Sequence, residues 1–392
     1  MLTRTFSVAV LGAGHGGLAL AGYLSRRGHR VTLWNRSPSR IASVAALGGI
    51  RLTSPGSAET FAPLATATCN LGAALADARR ILIAVPASAH ADVARKCAPH
   101  LRDGQTVLLL PGRTCGALAF QQALRQFGCS ARILLGEANT FPFAARSDGS
   151  AATIYGTKSE VRVAALPARR TPALLDAWRP ILPMLAPARS VLHTGFANLG
   201  AILHPVITLL NAERIRAGAA FDFYAEGVTP TVAAALAGAD AERLNIARAY
   251  GVTTSSLSGW IASAYGHHAN SIRDAVGGNP AYVGIKAPRT LEHRYLLEDV
   301  PTGLVPMIAL GRAAGLALPR LRRLVELARA ALGGIRWYSE RSLEALGLSG
   351  LDLDAIQDVI EDGFVAAPAW PEPAVPSLFG RFASGLSLVP QV

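Results

Sequence analysis

Through the first half of the chain, short apolar runs rich in β-branched residues alternate with stretches whose apolar positions recur at helical spacing. Phe6–Leu11 is the first such run and predicts a buried strand; a helical stretch, Leu18–Arg27, follows, and then a second strand, Arg30–Trp34. Runs at 81–85, 106–110, 132–136, 151–156 and 160–166 extend this to a sheet of about seven strands. Thr171–Arg189, rich in proline and arginine, reads as the last helix before a boundary near residue 190. Beyond it strand signals stop, and helices are predicted over 191–215, 229–265, 302–333 and 340–364. The tail from Ala366 onward, with Pro368, Pro371, Pro373 and Pro376, reads as an extended wrap over the surface. The pattern predicts an α/β domain over 1–189 and an all-α domain over 190–392, with an active site in the cleft between them.

The turn after the first strand narrows the class. Gly12-Ala13-Gly14-His15-Gly16-Gly17 fits G-x-G-x-x-G between a strand and a helix, inside a unit of about thirty residues. Gly12 allows the tight turn, Gly14 lets a pyrophosphate approach the backbone, and Gly17 lets helix pack on strand. With His15 and Gly16 these residues form the phosphate-binding turn of a Rossmann-type dinucleotide site, the phosphates resting on free N–H groups at the helix N-terminus. The second strand ends in Asn35-Arg36-Ser37 and lacks the carboxylate that binds a ribose 2′-hydroxyl. Arg36 can clamp a 2′-phosphate, and Asn35 and Ser37 can hydrogen-bond it, so NADP(H) is favoured and NAD(H) remains possible. Val85 and Pro86, ending the third strand, are expected on the nicotinamide side.

Composition changes little in this picture. A chain of 392 residues with 51% apolar content can bury two cores, and a 16% charged fraction argues against disorder. The net charge of +12 is almost all arginine, since only Lys96, Lys158 and Lys286 are lysines. The arginines are scattered with no nucleic-acid signature, so the excess suits anionic small molecules better than nucleic acid. Cys69, Cys97, Cys115 and Cys129 have no ligand spacing, and they predict buried thiols in a reducing compartment, with neither disulfide nor metal site. Residues 5–25 and Ser190–Ala212 carry no Lys, Arg, Asp or Glu. The glycine turn in the first, and His193, Asn198, His204, Pro205 and Asn211 in the second, make both of them core elements of a cytoplasmic protein rather than membrane spans.

Two stretches carry candidate chemistry. In HTGFANLGAILHPVITLLN, His204, Thr208 and Asn211 fall on one face of an apolar helix, with Gly200 and Ala201 leaving room for a ligand one turn back. His204 is a candidate acid–base, and Asn211, on the same stripe, a candidate substrate ligand. His293-Arg294-Tyr295-Leu296-Leu297-Glu298-Asp299 follows a turn-rich segment and is expected on a loop or extended strand. Arg294 can hold a carboxylate in bidentate fashion, and Asp299 can orient a histidine.

Taken together, GAGHGGLALAGYL, VPASAH, PGRTCGALAF, GEANTFPFAAR, the His204-Pro205 helix, GGNPAYVGIKAP, HRYLLEDVPTGLVP and RSLEALGLSG resemble the NAD(P)-dependent opine dehydrogenases of the octopine/nopaline dehydrogenase family. The resemblance spans nearly the whole chain, HRYLLEDVPTGL being its most specific part. It implies a Rossmann domain joined to a helical domain like that of 6-phosphogluconate dehydrogenase. It also implies reductive condensation of an amino acid's α-amine with an α-keto acid. By matching motifs it implies that His204 is the catalytic histidine, Asp299 its carboxylate partner and Arg294 the substrate-carboxylate ligand. Glu137 and Thr140 would line the substrate pocket. Partners would be small-molecule substrates only, with the protein a monomer or homodimer. A histidine with a reference pKa of about 6.5 suits the proton transfers of imine formation. Two rivals stay open: a ketopantoate-, glycerol-3-phosphate- or 6-phosphogluconate-type dehydrogenase using Lys286, and a non-catalytic NADP-sensing regulator.

Overall fold

The computed structural model describes residues 5–364, so the expected wrap beyond Ala366 lies outside the described residues. Strand β1 (Ser7–Leu11) is followed by helix α1 (His15–Arg26) and strand β2 (Arg30–Trp34). An eight-stranded sheet is built on them, in the order 185–187, 161–166, 134–138, 106–109, 80–83, β1, β2, 66–68. Strands 161–166 and 185–187 run parallel to each other and antiparallel to the other six, 161–166 pairing with 134–138. β1 pairs in parallel with both β2 and 80–83, which puts the glycine turn at the point where the strand order reverses. Ligands of doubly wound sheets bind at that point, outside the carboxyl ends of the strands.

The sheet is larger than the apolar runs predict, and one predicted strand lies elsewhere. Residues 151–157 join a second, four-stranded sheet with 49–53, 60–63 and 143–148. α1 packs against this small sheet: a Cβ on Gly22 would lie 3.3 Å from Leu52 and 3.4 Å from Ile50. The strands at 49–53, 60–63 and 66–68 are too short and polar to stand out by alternation. The helix expected over 171–189 spans only Thr171–Trp178 and gives way to the edge strand Leu185–Pro187.

From Val191 the described chain is helical, apart from a single bridge between Asp222 and Lys286. The long predicted helices are divided: 191–215 into Val191–Phe196, Gly200–Leu210 and Ala212–Arg216, and 229–265 into Pro230–Ala249 and Leu257–Tyr265. The predicted 302–333 contains Val305–Ala313 and Pro319–Ala331, while 340–364 holds only Leu353–Asp362. No described helix is long and apolar enough to cross a membrane.

Alternation along the central strands joins the two halves. Val8, Val10, Leu82 and Leu108 belong to the core that includes α1, while Ala9, Leu11, Ile81, Ile83, Val107 and Leu109 belong to a core continuous with Phe196, Ile202, Leu236 and Leu304 of the helical half. The carboxyl ends of the strands are thereby held against the helices that carry the candidate chemistry. The thiols divide unexpectedly: Cys97 and Cys115 are buried, but Cys129 is half-buried and Cys69 exposed.

Candidate active site

At the dinucleotide end, each glycine of the turn meets a different constraint. Gly12 has φ 120°, and a Cβ there would collide with the Ala84 carbonyl. A Cβ on Gly17 would overlap the Gly12 carbonyl oxygen, whereas one on Gly14 would meet nothing within 4 Å. The exposed face of the turn is therefore open backbone, and no side chain caps the N–H groups of α1. That combination fits a pyrophosphate. The helix begins inside the glycine turn at His15, three residues before the apolar stretch that predicts it. His15 Nδ1 accepts from the Ser147 backbone N–H at 2.9 Å and pairs with its hydroxyl at 3.0 Å, tying the turn to the small sheet. Gly16 leaves space for the Phe141 ring, 2.7 Å from where its Cβ would stand.

The end of β2 departs in part from expectation. Asn35 Oδ1 accepts from the Ala13 N–H at 3.1 Å and Nδ2 donates to the Ser37 carbonyl, so this amide braces the glycine turn instead of reaching for a phosphate. Ser37 precedes the helix Pro38–Leu47 without capping it through its side chain. Arg36 is 70% exposed and stands 3.6 Å from Asp92, which also pairs with Arg95 and Lys96. Val85 lies against the Gly12 turn, 2.9 Å from where a Cβ would stand, and Pro86 leads into Ala87.

At the other end, His204 and Asp299 meet across 95 residues of sequence, Nδ1 to Oδ2 at 2.7 Å. The Asp299 side chain is wholly buried, and its Oδ1 has no hydrogen-bond partner among the described residues. Burial alone would raise its pKa; the His204 ring and its hydrogen bond, with the charges of Arg113 and Arg294, outweigh that and hold the carboxyl below its ordinary value. His204 stacks on Tyr295, centroids 4.2 Å apart, and Tyr295 stacks in turn on Phe223. With Nδ1 committed to Asp299, Nε2 is the nitrogen left for another partner. Asp299 lies neither on a loop nor on an extended strand, the two placements expected, but between the helical turn Arg294–Leu297 and the π-helical turn Val300–Leu304. π-turns frequently mark functional sites.

Arg294 Nε donates to Glu298 Oε2 at 3.2 Å, and half of its side chain is exposed. Glu298 Oε1 accepts from the Ala87 N–H at 3.2 Å, joining this segment to the loop after strand 80–83. Other expected ligands have different tasks. Asn211 is buried; its Nδ2 donates to the carbonyls of Ile207 and Gly227, and its Oδ1 accepts from Arg214, so it ties down the end of its helix. Thr208 Oγ1 is buried and unpartnered among the described residues. Glu137 sits within strand 134–138, not in a turn, and is fully buried. Its oxygens accept from the Thr194 hydroxyl and the Ala117 N–H, both at 2.6 Å. Burial pushes its carboxyl up from 4.5 to about 7, against the downward pull of Thr194, Ala117 and Arg341. Thr140 accepts from Lys158 Nζ at 2.6 Å. Lys286, the rival lysine, is an exposed partner of Asp222.

Two arginines escape the sequence reading. Arg113, in the loop after strand 106–109, points its guanidinium at this site, with Nη1 3.3 Å from Asn198 Oδ1 and Nε 3.7 Å from Glu298 Oε1. Its position past the carboxyl end of a central strand is a usable signal. Arg341 is buried and donates to the carbonyls of Gly112, Thr114 and Ala87 and to His90 Nδ1. Nothing near residue 341 in sequence announces that partnership.

Residues 187–332 match the family model described as NAD/NADP octopine/nopaline dehydrogenase, alpha-helical domain, and residues 8–112 match the one described as ketopantoate reductase PanE/ApbA. An opine dehydrogenase of Arthrobacter sp. (strain 1C) is 39% identical over 354 residues, covering 90% of this chain and 98% of that protein. A solved octopine dehydrogenase with NADH and L-arginine superposes with TM-score 0.78 at 22% identity, over 90% of this chain and 98% of that one. A yersinopine dehydrogenase with NADP+ bound gives 0.69 at 21% identity, over 93% and 99%.

Proposed function

Because the chain belongs to the opine dehydrogenase family, we propose that His204 and Asp299 are its acid–base pair and that NADPH is its preferred cofactor. It is an NAD(P)-dependent oxidoreductase acting on CH–NH bonds: it joins an amino acid's α-amine to an α-keto acid and reduces the resulting imine, or runs the reverse. The dinucleotide, when bound, supplies the hydride for that reduction or accepts it in reverse. Residues 1–189 hold the cofactor and 190–392 supply the proton-handling groups.

The observation that carries this reading is the 2.7 Å His204–Asp299 contact, with the carboxyl buried behind the ring and held below its ordinary pKa by it. Asp299 accepts the hydrogen bond of Nδ1–H, which fixes the tautomer and orients the ring. Nε2 then moves the proton: it takes one from the substrate ammonium and returns it to the departing hydroxyl as amine and keto acid condense, so that water leaves and the N–H that remains makes the imine carbon more electrophilic. Arg294, its Nε on Glu298, turns its terminal nitrogens to a substrate carboxylate. At the far end, Arg36 binds the 2′-phosphate, supported by its exposure and by the lack of a carboxylate at the end of β2. The unpaired cysteines support a cytoplasmic setting.

Replacing His204 with Ala is expected to cut turnover at least about a hundredfold while NADPH affinity, read by fluorescence titration, stays nearly unchanged. Full activity in that variant would remove His204 from the mechanism.

A further inference from the structure

Resting on the reading that the cleft joins an amine to a keto acid, we propose that Arg113 holds the carboxylate of the keto acid, opposite the amino acid's carboxylate on Arg294. Each substrate brings one carboxylate, and Arg294 accounts for only one of them.

The loop around Arg113 is shaped to present this side chain. Arg113 has φ 62° and Cys115 φ 58°, left-handed values that non-glycine residues adopt only where surroundings enforce them. The enforcing group is visible: Arg341 donates to the carbonyls of Gly112 and Thr114, one on each side of Arg113. On the opposite edge of the loop, the Gly112 N–H donates to the Ala138 carbonyl at 2.9 Å. A buried guanidinium thus spends its donors on fixing the backbone that carries an accessible one.

The side chain then reaches the reacting groups. A Cβ on Gly200 would lie 3.3 Å from the His204 ring and 3.5 Å from Arg113 Nη1, so imidazole and guanidinium flank the same bare glycine. Arg113 is 20% exposed, and Nη1, on Asn198, is its only atom with a hydrogen-bond partner among the described residues. Glu298 stands between the two arginines, Oε2 3.2 Å from Arg294 Nε and Oε1 3.7 Å from Arg113 Nε. One carboxylate shared by two guanidiniums spaces them apart and leaves terminal nitrogens of each for a ligand.

The assignment of substrates follows from where each arginine is rooted. Arg113 hangs from the carboxyl end of strand 106–109, beside strand 80–83 and the nicotinamide side of the crevice. The keto acid's carbonyl carbon is the one reduced, so it has to lie on that side. Arg294 belongs to the helical half and takes the partner that brings the amine.

The test uses the full-length enzyme with NADPH, its best amino acid, and pyruvate or pyruvamide, which lacks the charge. Arg113→Gln should raise KM for pyruvate about 30–100-fold, leave KM for the amino acid within about threefold, and abolish the preference for pyruvate over pyruvamide. Arg113→Lys keeps the charge but not the fork, so about a tenfold rise is expected; it carries the same test should the glutamine variant fail to fold. A joint rise in both KM values, or an unchanged preference for pyruvate, in an amine-dependent enzyme overturns the assignment of Arg113 alone. Wild-type consumption of NADPH by pyruvate without any amine overturns the reading of the cleft and this proposal with it.

Discussion

At the dinucleotide end the proposed recognising atoms are backbone N–H groups of one short turn, Gly14 to Gly17, since those of Gly12 and Ala13 donate to the Trp34 carbonyl and to Asn35. At the imidazole end the proposed site is assembled from side chains at 113, 204, 294 and 299, drawn from both halves of the chain. The first end is shaped by where side chains are missing, the second by which charges are brought together. A contiguous backbone site can lose binding without losing the fold. A site assembled from buried charges is part of the core, so damage there should appear in stability as well as in turnover.

The largest effect should come from Arg341, which ties the helical half to the loops at 86–90 and 111–115. Arg341→Met removes the guanidinium donors to the buried carbonyls of Gly112 and Thr114 and to His90 Nδ1, and a loss of about 3–5 kcal/mol in unfolding free energy is expected. Denaturant melts would read it; a loss below about 1 kcal/mol would mean that the two ends are held together by apolar packing alone.

Glu137 makes the same point through pH. Its carboxyl is raised from 4.5 to about 7, so the folded state binds this proton more tightly than the unfolded chain. Its contribution is fully present below pH 4.5 and is lost as pH rises to about 7. Glu137→Gln cannot titrate, and relative to wild type it should gain of the order of 2–3 kcal/mol over that interval. Parallel stability curves for the two proteins would contradict the raised carboxyl.

Gly14→Val tests the other end. A Cβ there meets nothing within 4 Å in the folded protein, so the melting temperature should hold while dinucleotide affinity falls about 30-fold, or ~2 kcal/mol. Equal losses in both would erase the distinction between the two ends. The smallest change belongs to Arg36, an exposed residue near Asp92. Arg36→Asp should shift the NADPH-to-NADH ratio of kcat/KM about tenfold toward NADH; an unmoved ratio would take Arg36 out of cofactor choice.

The same contrast explains what could be read from the residues alone. The glycine turn was legible because its function depends on local spacing, and β1 and β2 stood out as apolar runs on either side of it. The short strands at 49–53 and 60–63 carried no such signal, since 49–53 is placed by the distant strand 151–157 and by α1, and 60–63 pairs on 49–53 in turn. His204 and Asp299 were visible as polar residues in apolar frames, and the family resemblance joined them. Asn35 and Glu137 were recognisable as polar residues near the cleft. Their inward turn, to Ala13 in one case and to Thr194 and Ala117 in the other, depends on partners from distant segments. Arg113 left a positional trace at a strand end; Arg341, whose partners all lie more than two hundred residues away, left none.

The most direct measurement follows NADPH oxidation over a matrix of amino acids against pyruvate, 2-oxoglutarate and glyoxylate, with each keto acid also run alone. If the cleft joins two carboxylate substrates before reduction, oxidation requires both, and the product mass equals their sum less one water plus two hydrogens. A keto acid reduced equally fast without any amine, giving the hydroxy acid, would contradict it.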